Sequence, residues 1–210
     1  MKVKYNAPVT ITFALICTAI MALDLYLVPG LVERFFTAEG SLTFRMDSLA
    51  SYVRVISHVF GHEGWDHLLN NMMLILLLGP ILEEKYGSAS LLWMIFITAL
   101  INGLVNGIVF PTALMGSSGI AFMMILLVSF ANIKWGEIPL TFFLVLVLYL
   151  LKEFLAIYRG DDISQISHIV GGACGAVFGF YKTVVIKKKK VPLEAPAPAG
   201  GTGGNITVVN

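Results

Sequence analysis

Residues 114–128 read "LMGSSGIAFMMILLV", and the fold turns on what the two hydroxyls between two glycines are for. Every residue from Ile120 to Val128 is apolar, so Gly116–Gly119 marks the point where a short polar break becomes a helix with no watery face. A serine at such a start ordinarily caps the helix by accepting a backbone N–H. It becomes a nucleophile only when a neighbouring imidazole takes its proton. The residues that surround this stretch decide between the two.

The chain has 210 residues, of which 57% are hydrophobic and 13% charged. A soluble domain carries about 25% charged residues, so this one has too few to cover a surface facing water. With a mean hydropathy of +0.84, it reads as an all-α, polytopic membrane protein. The net charge of +1 decides nothing by itself, but no basic patch lies outside the C-terminal tail, and no nucleic-acid partner is expected. Cys17 and Cys174 lie inside apolar segments and build neither a disulfide framework nor a CxxC metal pattern. "MKVKYNAPVT" begins like a signal peptide but lacks a small-residue cleavage site and is followed by further spans, so it leads into a first transmembrane helix.

Apolar runs separated by polar or turn-forming breaks predict six spans, over 8–29, 66–82, 89–110, 115–133, 138–157 and 164–185. The connection over 31–65 is long and semi-polar. "EEKYGS", Pro111, "NIKWGEIP" and "YRGDDISQ" mark the later breaks. The membrane domain is thus expected over 1–186. A basic, then Pro/Ala/Gly-rich disordered tail is expected over 187–210, beginning with Lys187–Lys190. With six spans both termini share a side, and that side holds nine of the basic residues against five on the other. The positive-inside rule then puts both termini in the cytoplasm and the 31–65 loop outside, in a multi-pass protein of the cell membrane.

In this orientation the even-numbered spans run inward. Span 2 begins with His67 and carries Asn71 one turn later on the same face. Span 4 begins at Gly116–Gly119, and span 6 carries His168 about one turn from its start. Serine, histidines and asparagine therefore lie at similar depth on three helices. Gly171, Gly175 and Gly179 form one stripe below His168, a double GxxxG pattern that lets helix backbones approach in lipid. Gly119 offers the matching small surface. If these helices pack, His168 reaches either Ser117 or Ser118 as a general base, in a dyad, because no acidic residue lies at its depth. A backbone N–H at the helix start, the Asn71 amide and a His67 ring N–H can then hold an oxyanion. His58, His62 and His67 would be the competing metal reading, but no carboxylate or cysteine completes a convincing set, so no metal and no cofactor are expected.

These residues make the chain resemble the rhomboid family of intramembrane serine proteases over all six spans, about 8–185. "GSSG" (Gly116–Gly119) matches the family's GxSG, "HLLNN" (His67–Asn71) its HxxxN, and "HIVGGACG" (His168–Gly175) its HxxGxxxG. His58 and His62 stand at the spacing of the family's further histidines. The resemblance implies a six-helix rhomboid-like bundle. It makes Ser118 the nucleophile and Ser117 the variable position, His168 its base, and His67, Asn71 and the Ser118 N–H the oxyanion site. Gly116, Gly119, Gly171 and Gly175 pack the helices around it. It also implies single-span membrane proteins as substrates, cut within the bilayer through a site open to the outer side. Local unwinding would expose the scissile carbonyl, and weak helix formers lower that cost by up to about 1 kcal/mol per residue. The alternative is a proteolytically inactive rhomboid-like protein that binds membrane clients. One departure is visible: the family's Trp-Arg pair reads Val53-Arg54 here.

Among the remaining polar residues, Asp24 near the outer end of span 1 is expected to be structural. Asn102 and Asn106 share a face of span 3 and are expected to hydrogen-bond another helix.

Overall fold

The first helix, α1 (Pro8–Tyr26), begins where a proline pre-sets the backbone and has no N–H to lose. The N–H groups that follow are satisfied from far along the chain. Val9 and Thr10 donate theirs to Glu83 Oε1 and Oε2 at 3.0 and 3.1 Å, and the Thr10 hydroxyl adds a bond of 2.9 Å. In the computed structural model, residues 5–130, 140, 143–144, 147–148, 151 and 165–190 are described, the last segment with side chains from 166 to 181.

Among the described residues, the helices with stated bounds are, in chain order, α1, α2 (Leu31–Phe35), α3 (Leu49–Ser57), α4 (Trp65–Tyr86), α5 (Ser88–Val109), α6 (Ser118–Ser129) and α7 (Gln165–Lys190). A 3-10 turn over His58–Phe60 continues α3. Three of them, α1, α4 and α5, are long and apolar enough to cross a membrane. The 22 residues of α4 and of α5 rise roughly 33 Å, against a hydrocarbon core of about 30 Å. The fourth expected span is described as the 12-residue α6. Helix α7 has 26 residues, of which Ile166–Tyr181 is the apolar part described with side chains. The fifth, 138–157, lies largely outside the described residues, as does the tail beyond 190; the stretch Lys187–Lys190 continues α7.

The break read at "EEKYGS" is narrower in the structure. Helix α4 continues through it to Tyr86, and α5 starts at Ser88. The reason is Glu83, which is buried because its carboxylate caps α1. Below it, a methyl group at Gly79 would come within 2.4 Å of Thr10 Cγ2, so the two helices meet closely at this end.

The 31–65 connection, expected as a long, semi-polar loop, is folded onto the bundle. Asp24 Oδ1 accepts the Val32 N–H at 2.8 Å and fastens α2 to the end of α1. Ser51 and Val55, one turn apart, are the buried face of α3. That face lies on α5 at Gly103, where an added Cβ would stand 2.1 Å from Val55 O. Arg54 forms an ion pair with Glu39, whose other oxygen accepts the Ser51 hydroxyl at 2.6 Å. Val53, where the family has tryptophan, is exposed.

The core is one cluster drawn from α1, α4, α5, α6, α7 and the 3-10 turn, with Met21, Leu68, Ile75, Leu91, Met123 and Leu127 fully enclosed. Helix α7 lies along α6 by its glycines. A Cβ at Gly171 would meet Gly119 O at 2.0 Å, and one at Gly175 would meet Met123 O at 2.2 Å. Small residues thus bring two backbones together where a larger side chain would hold them apart.

The asparagines of α5 differ from expectation. Asn102 donates to Thr98 O of its own helix at 3.1 Å. Asn106 reaches the connections at the end of α5, donating to Thr112 O at 3.0 Å and Glu39 O at 3.3 Å. These bonds go to α5 itself or to connecting segments, not to another helix.

Candidate active site

The stretch that opens α6 is held residue by residue. Leu114 pairs with Ala38 through two backbone bonds of 2.8 and 2.9 Å, an isolated antiparallel bridge. Gly116 donates its N–H to His58 O at 3.0 Å, and the Ser117 hydroxyl shares a 3.1 Å bond with His62 Nε2. Gly116 has φ +113, a conformation that favours glycine. A Cβ there would also stand 2.8 Å from His67 Cε1 and Nε2. Both demands, backbone and space, fall on one residue.

That close approach defines one wall of the site. From α4, His67 lies against Gly116, and the amide nitrogen of Asn71 points to the same place, 3.9 Å from the position of such a Cβ. Asn71 is buried, and its Nδ2 has no hydrogen-bond partner among the described residues. A buried amide donor left unpaired costs roughly 1–3 kcal/mol, which makes Asn71 Nδ2 a candidate donor for a bound acceptor. Outward of α4's first turn lies an open hollow of about 310 Å³ lined by Glu63, Gly64, Trp65, Asp66 and His67.

The other wall comes from α7. His168 is buried, with its ring 4.2 Å from that of Phe122, one turn after Ser118 on α6. Gly171 against Gly119, together with Ser167 Oγ 2.9 Å from the place of a Gly119 Cβ, sets the register of the two helices. His168 is thereby delivered to the turn of α6 that begins with Ser118. Ser118 itself is half-buried at the helix start, whereas Ser117 is fully buried. The structure therefore brings His67, Asn71 and Gly116 into one cluster and sets His168 over the first turn of α6.

Three residues of this neighbourhood have roles that the sequence reading does not assign. His62, read there as a competing metal ligand and as one of the family's further histidines, bonds Ser117, and its ring lies edge-on to His67 with centroids 5.1 Å apart. His58 acts through its backbone carbonyl, while its ring is anchored to Val55 O at 2.9 Å. Burial pushes both rings down to a pKa of about 4, so they are neutral at pH 7. Ser167, next to His168, lines with Asn102 and Asn106 a cavity of about 10 Å³ between α5 and α7, the size that admits one water. Spacing alone signals none of these roles, since each partner is more than fifty residues away or lies on another element. Among the described residues, no three His, Cys, Asp or Glu side chains gather as a metal site.

Helices of membrane length and a polar cluster at the start of a glycine-packed helix pair define a multi-pass membrane protein with a built site. A Rhomboid domain model matches residues 49–184, and the chain belongs to the rhomboid family. The match begins at the start of α3, so α1 and α2 precede it. The chain is 31% identical over 165 residues to Rhomboid-related protein 1 of Caenorhabditis elegans, covering 71% of this chain and 45% of that protein. It is 28% identical over 144 residues to Rhomboid protease GlpG of Haemophilus influenzae, covering 67% of this chain and 73% of that one. To Rhomboid-like protein 11, chloroplastic, of Arabidopsis thaliana it is 21% identical over 164 residues, covering 70% of this chain and 59% of the relative.

Proposed function

We propose that this chain is an intramembrane serine endopeptidase that cleaves the transmembrane segments of single-span membrane proteins. The observation that carries the reading is the unpartnered Asn71 amide, which lies with the His67 ring against Gly116, two residues before Ser118. Donors gathered beside a serine at a helix N-terminus suit an oxyanion better than any neutral ligand. The family match and the relative named as a protease support the same chemistry.

In this mechanism His168 takes the Ser118 proton as the hydroxyl oxygen attacks the scissile carbonyl carbon. The carbonyl electron pair moves onto its oxygen, where the Ser118 N–H, the Asn71 amide and a His67 ring N–H hold it. Collapse of the adduct expels the amine, which leaves with the proton carried by His168. Water entering from the outer side then gives a proton to His168 and attacks the acyl-enzyme. The second collapse returns that proton to Ser118 and frees the new carboxylic acid, which gives its proton to water. Both termini lie in the cytoplasm and the site opens outward, as the distribution of basic residues indicates.

The test is cleavage of a transmembrane substrate in liposomes by the parent, Ser118→Ala, His168→Ala and Ser117→Ala. Loss of at least about a thousandfold in Ser118→Ala and His168→Ala, with Ser117→Ala retaining most activity, is expected. Equal cleavage by Ser118→Ala and the parent would remove Ser118 as nucleophile. A parent that neither cuts nor reacts at Ser118 with a phosphonate would favour the client-binding alternative.

A further inference from the structure

Ser117 stands at the N-cap of α6 but does not cap it: no side chain caps this helix, and the Ser117 hydroxyl bonds His62 instead. Serine is among the residues most favoured at this position because its oxygen satisfies an N–H of the first turn. Here that local bond is exchanged for one made fifty-five residues away, inside the protein, where Ser117 is fully buried. The backbone of Ser117 has φ −95 and ψ 13, outside the extended region of a capping residue, so capping needs its ψ to turn as well as its hydroxyl, and the His62 bond holds the hydroxyl against that turn.

The exchange matters because of what lies at that helix end. A capping oxygen would set its lone pairs beside the first-turn N–H groups, the place where the proposed reaction develops negative charge. It would oppose an oxyanion and occupy space next to Gly116, already filled to contact by His67. His62 is well placed to prevent this. It is buried, its ring is braced edge-on by His67, and its Nε2 has the Ser117 hydroxyl as partner.

We propose that His62 and Ser117 are positioning residues for the serine protease reaction: the imidazole holds the Ser117 hydroxyl off the N-terminus of α6, leaving that end free to bind the oxyanion. The inference rests on the proposed proteolytic function. It gives the variable residue of the GxSG motif a specific task in this chain. Because a buried serine at the N-cap would otherwise compete with the oxyanion, the histidine is needed only while that hydroxyl is present.

The experiment is a double-mutant cycle on the full chain in liposomes, with kcat and KM measured for a transmembrane substrate. The variants are His62→Ala, His62→Gln, Ser117→Ala and the double variant, with Ser118→Ala as the inactive reference. His62→Ala is expected to lower kcat by about tenfold with KM unchanged, as befits partial loss of oxyanion stabilisation. His62→Gln, which keeps an N–H at similar reach, restores most of it. The double variant is expected to match Ser117→Ala alone, within about threefold of the parent, because removing the hydroxyl removes the need for its holder. A double variant as slow as His62→Ala, or slower, would overturn the proposal, as would full kcat in His62→Ala. If His62→Ala unfolds, as its melting temperature would reveal, His62→Leu and His62→Leu/Ser117→Ala, which fill the space without a hydrogen-bonding group, carry the same comparison. Cleavage by Ser118→Ala would instead bring down the protease reading itself, an outcome read separately from the cycle.

Discussion

Helix α6 is gripped on two sides by opposite materials. Toward α7 the grip is dry: Gly171 and Gly175 press on the carbonyls of Gly119 and Met123 with no room for a methyl group. Toward the outer connection it is polar, with Leu114 held by Ala38, Gly116 by the His58 carbonyl and Ser117 by the His62 ring. The difference follows from the residues each side offers. Between apolar helices, close packing is the available attraction, because lipid is as apolar as leucine. In the semi-polar 31–65 connection, polar groups exchange water for one another at modest cost, and directional bonds fix a segment more closely than apolar contact does. The dry side sets how far His168 stands from the start of α6, and the polar side sets how that start is turned.

The largest effect should come from the dry side. Gly171→Val forces a branched side chain into the Gly119 carbonyl and is expected to destabilise the protein by about 3 kcal/mol or more and abolish cleavage. Gly64→Ala, where an added Cβ meets nothing within 4 Å, is the matched control and should change neither. The melting temperature in detergent, with cleavage in liposomes, reads both. A Gly171→Val protein as stable as the parent would mean that the two backbones are not in contact.

The polar side should be exposed by acid. His58 and His62 are kept neutral by burial, their pKa pushed from 6.5 down to about 4. Between those values the unfolded chain binds more protons than the folded one, so stability rises with pH through the window. The contribution is whole above pH 6.5 and is lost as pH falls through 4. Between pH 7 and 4.5 each ring should cost about 2 kcal/mol. His58→Gln, which keeps a donor for Val55 O, should flatten the melting curve against pH. An unchanged slope would show that His58 already titrates normally in the folded state.

How much of this was legible in the sequence also divides by side. The glycine stripe and the pairs His67–Asn71 and Gly116–Gly119 could be read, because helical periodicity converts spacing directly into a shared face. The same periodicity gave helices α1, α4 and α5 to within a few residues, but it misplaced the inner break, since Glu83 looks like a loop residue until α1 is seen to end on it. The outer connection was not legible. The Ala38–Leu114 bridge, the His62–Ser117 bond and the bonds of Asn106 to Glu39 and Thr112 join segments whose pairing no local pattern encodes. Arg54 stood out as half of a family pair, yet its partner proved to be Glu39 rather than anything at position 53.

The α1–α4 junction supplies an intermediate case, a polar contact at the opposite end of α4 from the proposed site. Glu83→Gln leaves one acceptor oxygen for three donors, and turns an amide N–H₂ toward the remaining N–H or hydroxyl. A loss of between about 1 and 2 kcal/mol in stability is expected, with kcat at permissive temperature close to that of the parent. Thermal unfolding and initial rates would separate the two. A large fall in kcat without a fall in stability would mean that the α1–α4 junction communicates with α6.

The smallest effect tests whether outer polarity as such does anything. Arg45 and Asp47 form an ion pair at 3.3 Å, but their side chains are 68% and 76% exposed. Water screens such a pair and the two side chains lose freedom in making it, so Arg45→Ala should move stability by less than about 0.5 kcal/mol. Arg54 carries the same charge on the same connection, yet its side chain is 19% exposed, and it bonds both Glu39 and the Arg34 carbonyl. Arg54→Ala leaves Glu39 with the Ser51 hydroxyl but without its cation, and should cost more than Arg45→Ala by about 1 kcal/mol or more. Equal melting temperatures for the two variants would mean that the connection is held by its backbone bridge and its histidines alone, and that the grip on α6 owes nothing to charge.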